Sequence, residues 1–331
     1  MSQERTILSA SVRGARRTER ISIASLSDFS LGEAQPITHA ETIARRLLPY
    51  CLDVIHRRAI YVGGVSSAEA QAAPFYYLHL RRSARTVVMV PWEAAPVFQS
   101  ESRAPVLLFS PGRCGSTLVS RILFEAGIAN VSEADFYTQA TSQFLSSPLN
   151  PLRGHMRNAV LGMGRDLCAS LSAAGPVIVK LRAESCRAPA LLSDPGERRV
   201  LFITRDFESW ARSTMKTFRN SPQKTVKKYL TALACRDFLL RHRECLLLRY
   251  EDLMGEPDAA RRALEHFLRV EIPPNALARA MNKDSQAGTP LARGARGDKP
   301  GSDERLEKTL ALWKSDKVRR IRGRLVADGD N

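Results

Sequence analysis

The chain has 331 residues, 44% of them apolar and 25% charged, the balance of a folded globular protein large enough for one α/β domain with additions or two smaller domains. Lys and Arg number 50 against 34 Asp and Glu, a net charge of +16 that draws the chain toward anionic ligands. No stretch approaches the ~20 apolar residues of a membrane span, and M-S-Q-E-R-T-I-L-S-A has no apolar signal core, so no membrane span is expected and the location to expect is cytoplasmic.

The six cysteines (51, 114, 168, 186, 235 and 245) include no C-x-x-C pair and read as reduced thiols, not as a disulfide or zinc framework. The positive charge would serve nucleic acid, a multiply phosphorylated nucleotide or an acidic acceptor alike. It is spread along the chain, without a block of five or six like charges and without an aromatic-studded basic ribbon, which makes nucleic acid the less expected partner, but charge does not choose between these readings and the motifs must.

In chain order, residues 1–35 are polar and rich in Ser and Arg, with weak alternation in R-I-S-I-A-S-L, and predict partial order at best before about residue 20. From Thr38 to Arg58 the spacing of Ile43, Leu47, Leu48, Leu52 and Ile55 predicts an amphipathic helix. Residues 75–80 and 86–90, separated by R-R-S-A-R, read as a β-hairpin. Residues 36–103 thus make a helix-plus-hairpin extension ahead of an α/β domain from 104 to 331. That domain opens with Val106 to Phe109, a short apolar run suited to a strand buried on both faces. A helix lies within 150–174. Strands follow at 176–180, 199–204 and 245–253, with helices at 207–217 and 225–241 between them. Helices at 258–269, 276–282 and 304–326 and a basic, Gly-rich loop at 286–302 complete the chain. Short apolar strands alternating with helices imply a parallel sheet covered on both faces.

The most informative stretch runs from Ala104: A-P-V-L-L-F-S-P-G-R-C-G-S-T-L-V-S-R-I-L-F-E-A-G. Strand, glycine loop and helix, in that order, aim backbone N–H groups and a helix N-terminus at an anion. The sequence reads as a phosphate-binding loop on a P-loop NTPase-like fold. The ATP and GTP form, G-x-x-x-x-G-K-[ST], puts a lysine after its second glycine. With Gly115 in that place, Ser116 stands where the lysine should, Thr117 follows, and the basic residue comes earlier, at Arg113.

That displacement resembles the 5′-phosphosulfate loop, [KR]-x-G-[ST]-T, of sulfotransferases that use 3′-phosphoadenosine 5′-phosphosulfate. Two further segments share the resemblance. Arg205 follows the strand V-L-F-I-T, and Ser213 comes eight residues later; in the family an Arg and a Ser at this spacing hold the donor's 3′-phosphate. L-R-Y-E-D-L places Tyr250 where the family carries a tyrosine near the adenine. The three segments span about residues 104–270. They imply transfer of a sulfuryl group to an acceptor hydroxyl or amine, release of 3′,5′-ADP and no required metal. The implied nucleotide site is Gly112, Arg113, Cys114, Gly115, Ser116, Thr117, Arg205, Ser213 and Tyr250, with Cys114 contributing its backbone N–H and carrying a thiol that the loop could activate.

Sulfuryl transfer needs a base for the acceptor proton and cations or donors for the moving group. Arg113 is the loop's cation, and Lys180 ends the strand P-V-I-V-K where family members often carry a lysine. Cytosolic small-molecule enzymes place a His two residues after that lysine; here the position is Arg182, which stays protonated. They also carry a Trp where this chain has Leu118. Golgi-type enzymes instead use a Glu shortly after the loop helix, and N-V-S-E-A-D supplies Glu133, resembling the S-E-P segment of many bacterial sulfotransferases, with Asp135 the near competitor. The catalytic set to expect is therefore Glu133, Arg113 and Lys180. Two other readings stay open at this stage: a P-loop kinase or other phosphotransferase, and a non-catalytic basic P-loop protein that binds nucleic acid. The acceptor is not legible.

Overall fold

All four residues of the run Val106–Phe109 are buried, as a strand covered on both faces requires. The computed structural model of the chain describes residues 6–15, 23–95, 103–146, 153–171, 175–194, 197–282 and 302–327. Before the loop come strands β1 (Leu8–Ala15), β2 (Phe29–Leu31) and β3 (Gln35–Pro36), helix α1 (His39–Ala44), and strands β4 (Leu48–Asp53) and β5 (Arg58–Gly63). Helices α2 (Ser67–Ala72) and α3 (Tyr76–Ser83) and strand β6 (Thr86–Pro91) follow. The middle of the chain holds β7 (Val106–Phe109), α4 (Ser116–Glu125), β8 (Asn130–Ser132), α5 (Asp135–Ser146), α6 (Arg153–Ser170), β9 (Ile178–Lys180) and the single turn α7 (Pro189–Leu192). The remainder is β10 (Arg199–Thr204), α8 (Phe207–Thr217), α9 (Pro222–His242), β11 (Glu244–Arg249), α10 (Tyr250–Gly255), α11 (Pro257–Leu268), α12 (Pro274–Asn282), α13 (Ser302–Lys314) and α14 (Asp316–Ala327).

These elements form two compact units, the first of residues 1–107, 128–181 and 190–197, the second of 108–127, 182–189 and 198–331. In the first unit an antiparallel sheet runs in the order β2-β1-β6-β5-β4, with β3 on β1. Residues Leu48, Pro49, Tyr50, Cys51 and Leu52 of β4 are all buried, because α5 and α6 lie against that strand. Gln139 of α5 accepts from Leu52 N at 2.8 Å and donates to Ala24 O. Tyr61 of β5 donates to the buried Asp166 of α6 at 2.6 Å. A buried ion pair, Arg81 to Asp28 at 3.0 Å, shares the Asp28 carboxylate with Tyr50 OH and fixes the segment before β2. In the same unit β8 and β9 pair in parallel, Ser132 opposite Lys180, and Val106 N of β7 bonds Val177 O.

In the second unit β7 adjoins β10, and β10 pairs with β11 in parallel, Arg199 opposite Glu244 through Thr204 opposite Arg249. α12 covers α4, while α9 and α11 lie against β11. α8, α9, α13 and α14 enclose an apolar cluster of Phe207, Trp210, Met215, Val226, Tyr229, Leu306 and Val318. The chain is therefore mixed α/β, with parallel strands flanked by helices.

The N-terminal elements differ from the expected helix and hairpin. Helix periodicity at 38–58 yields only α1, opened by a Thr38–Glu41 capping box; Ile43 and Ile55 are exposed, and the chain enters β4 instead. Residues 75–80 are not a strand: Tyr76, Tyr77, Leu80 and Arg81 share the buried face of α3. The hairpin of this region is β4–β5, and β1 is fully formed before residue 20 between β2 and β6. The segment Tyr250–Gly255 is helix, so β11 ends at Arg249. The expected terminal helix is two, broken at Ser315, and residues 286–301 of the expected basic loop lie outside the described residues.

Candidate functional site

The loop after β7 is built on left-handed backbone. Gly112 has φ 75°, Arg113 φ 59° and Gly115 φ 88°, and Gly115 is the N-cap of α4. A chain that changes hand in this way turns successive amides toward one point, and the first turn of a helix has no internal acceptors for its N–H groups. The loop is fastened from below. Ser110 Oγ accepts from Gly112 N at 3.2 Å and lies 3.3 Å from Ser116 Oγ. Cys186 Sγ donates to Ser110 O at 3.4 Å, and Trp210 Nε1 donates to Gly112 O at 2.7 Å. Cys114 is fully buried, its thiol donating to Ile203 O of β10 at 3.3 Å. The thiol that the loop could have activated is thus turned into the core. Ser116 is buried with its hydroxyl on Ser110, and Thr117 is half-buried.

Arg205 follows β10, with its guanidinium carbon 4.4 Å from the centroid of the Tyr250 ring. Its Nε is buried and has no hydrogen-bond partner among the described residues. A buried donor in that state suits an anion, since leaving it unmet is costly. Tyr250 in turn covers the loop: a Cβ built on Gly115 would fall 2.6 Å from Tyr250 Cδ2. Ser213, in α8, accepts from Arg113 Nε at 3.4 Å. The three segments singled out in the sequence therefore meet within the second unit.

Asp206, beside Arg205, caps α8 by accepting from Ser209 N at 3.0 Å. Partial burial pushes its carboxyl up, but bonds from the Ser209 side chain and backbone and from Glu251, and the Arg205 charge, outweigh this and hold it below the ordinary value. The acidic residue after β10 is thus committed to the helix end.

In the first unit, Glu133 follows β8 and Lys180 ends β9. Glu133 N donates to Lys180 O at 2.7 Å and Lys180 Nζ donates to Glu133 Oε1 at 2.8 Å. Lys180 is only 4% exposed, so its charge is matched by this carboxylate. Glu133 has φ 66°, a conformation that costs a side-chain-bearing residue ~1–2 kcal/mol and that the paired bonds enforce. Asp135 is different in kind: fully buried at the start of α5, it accepts from Ala24 N.

Two residues that the motifs did not mark hold this site. Trp210, fully buried, carries the loop through Gly112; Tyr229 donates its OH to Arg205 O and lies 3.4 Å from Thr204 Oγ1. For Trp210 the aromatic spacing in F-E-S-W was the available signal, of burial and not of a role, and Tyr229 had none. Among the described residues no group of three or more His, Cys, Asp or Glu is placed to hold a metal, and no helix is long and apolar enough to cross a membrane. None of the six cysteines is in a disulfide.

No family model matches the chain, and no curated protein matches it. Among solved structures, mouse sulfotransferase SULT7A1 complexed with PAP is a distant neighbour, with 10% identity, 70% of this chain and 93% of that chain covered, and a TM-score of 0.35.

Proposed function

We propose that the chain is a sulfotransferase that moves a sulfuryl group from 3′-phosphoadenosine 5′-phosphosulfate to an acceptor hydroxyl or amine. The observation that carries the reading is the meeting, in one unit, of a left-handed glycine loop, Arg113, Ser213 and an Arg205 guanidinium whose buried Nε is unmet among the described residues. A nucleotide with phosphate groups at both ends of its ribose suits two separate anion anchors of this kind. The donor, when bound, supplies an activated sulfuryl group.

The amides of the loop from Gly112 to Thr117 and the start of α4 hold its 5′ end, and the Arg113 guanidinium lowers the charge that builds there. Arg205 and Ser213 hold the 3′-phosphate, the first by a charge-assisted fork and the second through its hydroxyl. Tyr250 offers a ring beside them for the base. Glu133 removes the acceptor's proton, and Lys180, bonded to its carboxylate, fixes the direction in which that carboxylate presents an oxygen. Arg113 and Arg205 bring the positive charge that a divalent cation brings in ATP-dependent enzymes. The kinase alternative would want a metal-binding acid after β10, and Asp206 is occupied there as a helix cap.

Incubation with donor labelled in its sulfuryl group, in chelator, against a panel of phenols, alcohols, sugars and amines tests the reading. Label should pass to an acceptor with equal formation of 3′,5′-ADP. Absence of transfer across the panel, together with magnesium-dependent consumption of ATP, would favour the phosphotransferase.

A further inference from the structure

We propose that Trp210 and Tyr229 are positioning residues that set the distance between the two anion anchors, with Trp313 of helix α13 completing their support. The inference rests on the sulfotransferase reading for what the anchors hold. Trp210 Nε1 bonds the carbonyl of Gly112, inside the loop that would take the 5′ end. Tyr229 OH bonds the carbonyl of Arg205, the anchor for the 3′-phosphate. The two rings stand 4.8 Å apart, centroid to centroid, so each anchor is tied through one polar atom to a single aromatic block. Burial raises the Tyr229 phenol above its ordinary value, which keeps it a donor to that carbonyl.

Helices α13 and α14 add to the block. Trp313 stacks on Phe207 at 3.9 Å and 10° and meets Tyr229 edge-on at 5.4 Å. Phe207 itself packs on Tyr229 at 5.1 Å, and Arg322 of α14 lies over Trp313 at 4.5 Å. An aromatic cluster this size stabilises its unit wherever it stands. Donating one N–H and one O–H to the carbonyls of two separate anchors is a different duty. It makes the loop and the strand-end arginine move as one.

The test compares Trp210→Phe, Tyr229→Phe and, as a packing control whose side chain has no hydrogen-bonding group, Leu233→Ala in the same apolar cluster. Each is measured by thermal unfolding, by amide exchange of residues 112–116 without ligand, and by titration with 3′,5′-ADP and with 5′-AMP. Trp210→Phe should speed loop exchange about tenfold and weaken both nucleotides about five- to tenfold, the effect of one lost hydrogen bond and a looser loop. Tyr229→Phe should weaken 3′,5′-ADP by a similar factor and leave 5′-AMP nearly unchanged, narrowing the preference between them. Leu233→Ala should lower the melting temperature without altering either ratio or the loop's relative exchange. Wild-type loop exchange and affinities in both phenylalanine variants would overturn the proposal, as would Leu233→Ala reproducing their pattern. If the unaltered protein binds neither nucleotide, the sulfotransferase reading fails, and loop exchange in Trp210→Phe still decides whether Trp210 positions the loop.

Discussion

The ring of Tyr250 occupies the space that any side chain on residue 115 would need: a Cβ there would meet Tyr250 Cδ2 at 2.6 Å. Gly115 is also at φ 88°, so two independent reasons demand glycine. Gly115→Ala should cost ~1–3 kcal/mol in stability from the left-handed backbone and the displaced ring, and should abolish tight nucleotide binding. Adding Tyr250→Ala should recover the steric part of the stability loss and none of the binding. Denaturant unfolding and titration of the single and double variants check this; a Gly115→Ala protein that folds and binds normally contradicts the loop geometry.

Cys114 illustrates how position in a motif and position in a fold diverge. A thiol in a cationic loop at a helix N-terminus is where reactivity is expected. Instead the side chain is fully buried and donates to Ile203 O. In folded protein Cys114 should resist alkylation until denaturant is added, and Cys114→Ser, which keeps a donor, should retain most activity. Rapid labelling of Cys114 in native protein, read by mass spectrometry, would show the loop opening to solvent.

The Asp206 cap gives the fold a pH signature. Its folded-state carboxyl titrates below the ordinary value of 3.8, so the charge's stabilisation is fully present above that value and is lost as pH falls through the lower folded one. Asp206→Asn keeps the cap and removes the charge. Its stability should fall short of the unaltered protein's near neutrality, with the gap closing below about pH 3.8. Melting temperatures measured from pH 7 to 3 decide it, and a gap that stays constant would mean the charge contributes nothing.

Glu133 carries the proton-transfer part of the proposal. Glu133→Gln preserves an acceptor for Lys180 while removing the base, so donor affinity and folding should survive and turnover should fall by ~10²–10⁴-fold. A readily ionised phenol should suffer less than an alcohol. Asp135→Asn, which alters a buried carboxylate on Ala24 N, should lower stability more than turnover. Normal turnover in Glu133→Gln with an inactive, well-folded Asp135→Asn would reassign the base.

The strand, loop and helix at 106–125 were legible because an unbroken apolar run, two glycines and helical spacing agree with one another there. β10, α8, α9, α11 and α12 were legible from apolar runs and helical spacing of the same kind, whereas α10 was read as part of the strand before it and α13 and α14 as one helix. Residues 38–58 were not: Ile43 and Ile55 completed a helical pattern yet point to solvent, while Leu48 to Leu52 are all buried, with α5 and α6 from far along the chain packed against that strand. Strand and helix compete evenly over so short a run, and tertiary cover decides. Phe75 to Leu80 misled in the opposite direction, since aromatic residues suit strands, and only the packing of α3 shows that four of its residues share a face. Arg205 and Ser213 could be found from spacing within a familiar motif. Trp210 and Tyr229 could not be given a role, because what they do depends on carbonyls brought from 98 and 24 residues away.

The most direct measurement is a calorimetric titration, in chelator, of 3′,5′-ADP against 5′-AMP, run on the unaltered protein and on Arg205→Ala. The 3′-phosphate should add roughly 1.5–3 kcal/mol through the Arg205 fork, about 10- to 150-fold in affinity, and Arg205→Ala should erase that preference while still binding 5′-AMP. Equal affinity for the two nucleotides in the unaltered protein, or a preference that survives Arg205→Ala, would contradict the account.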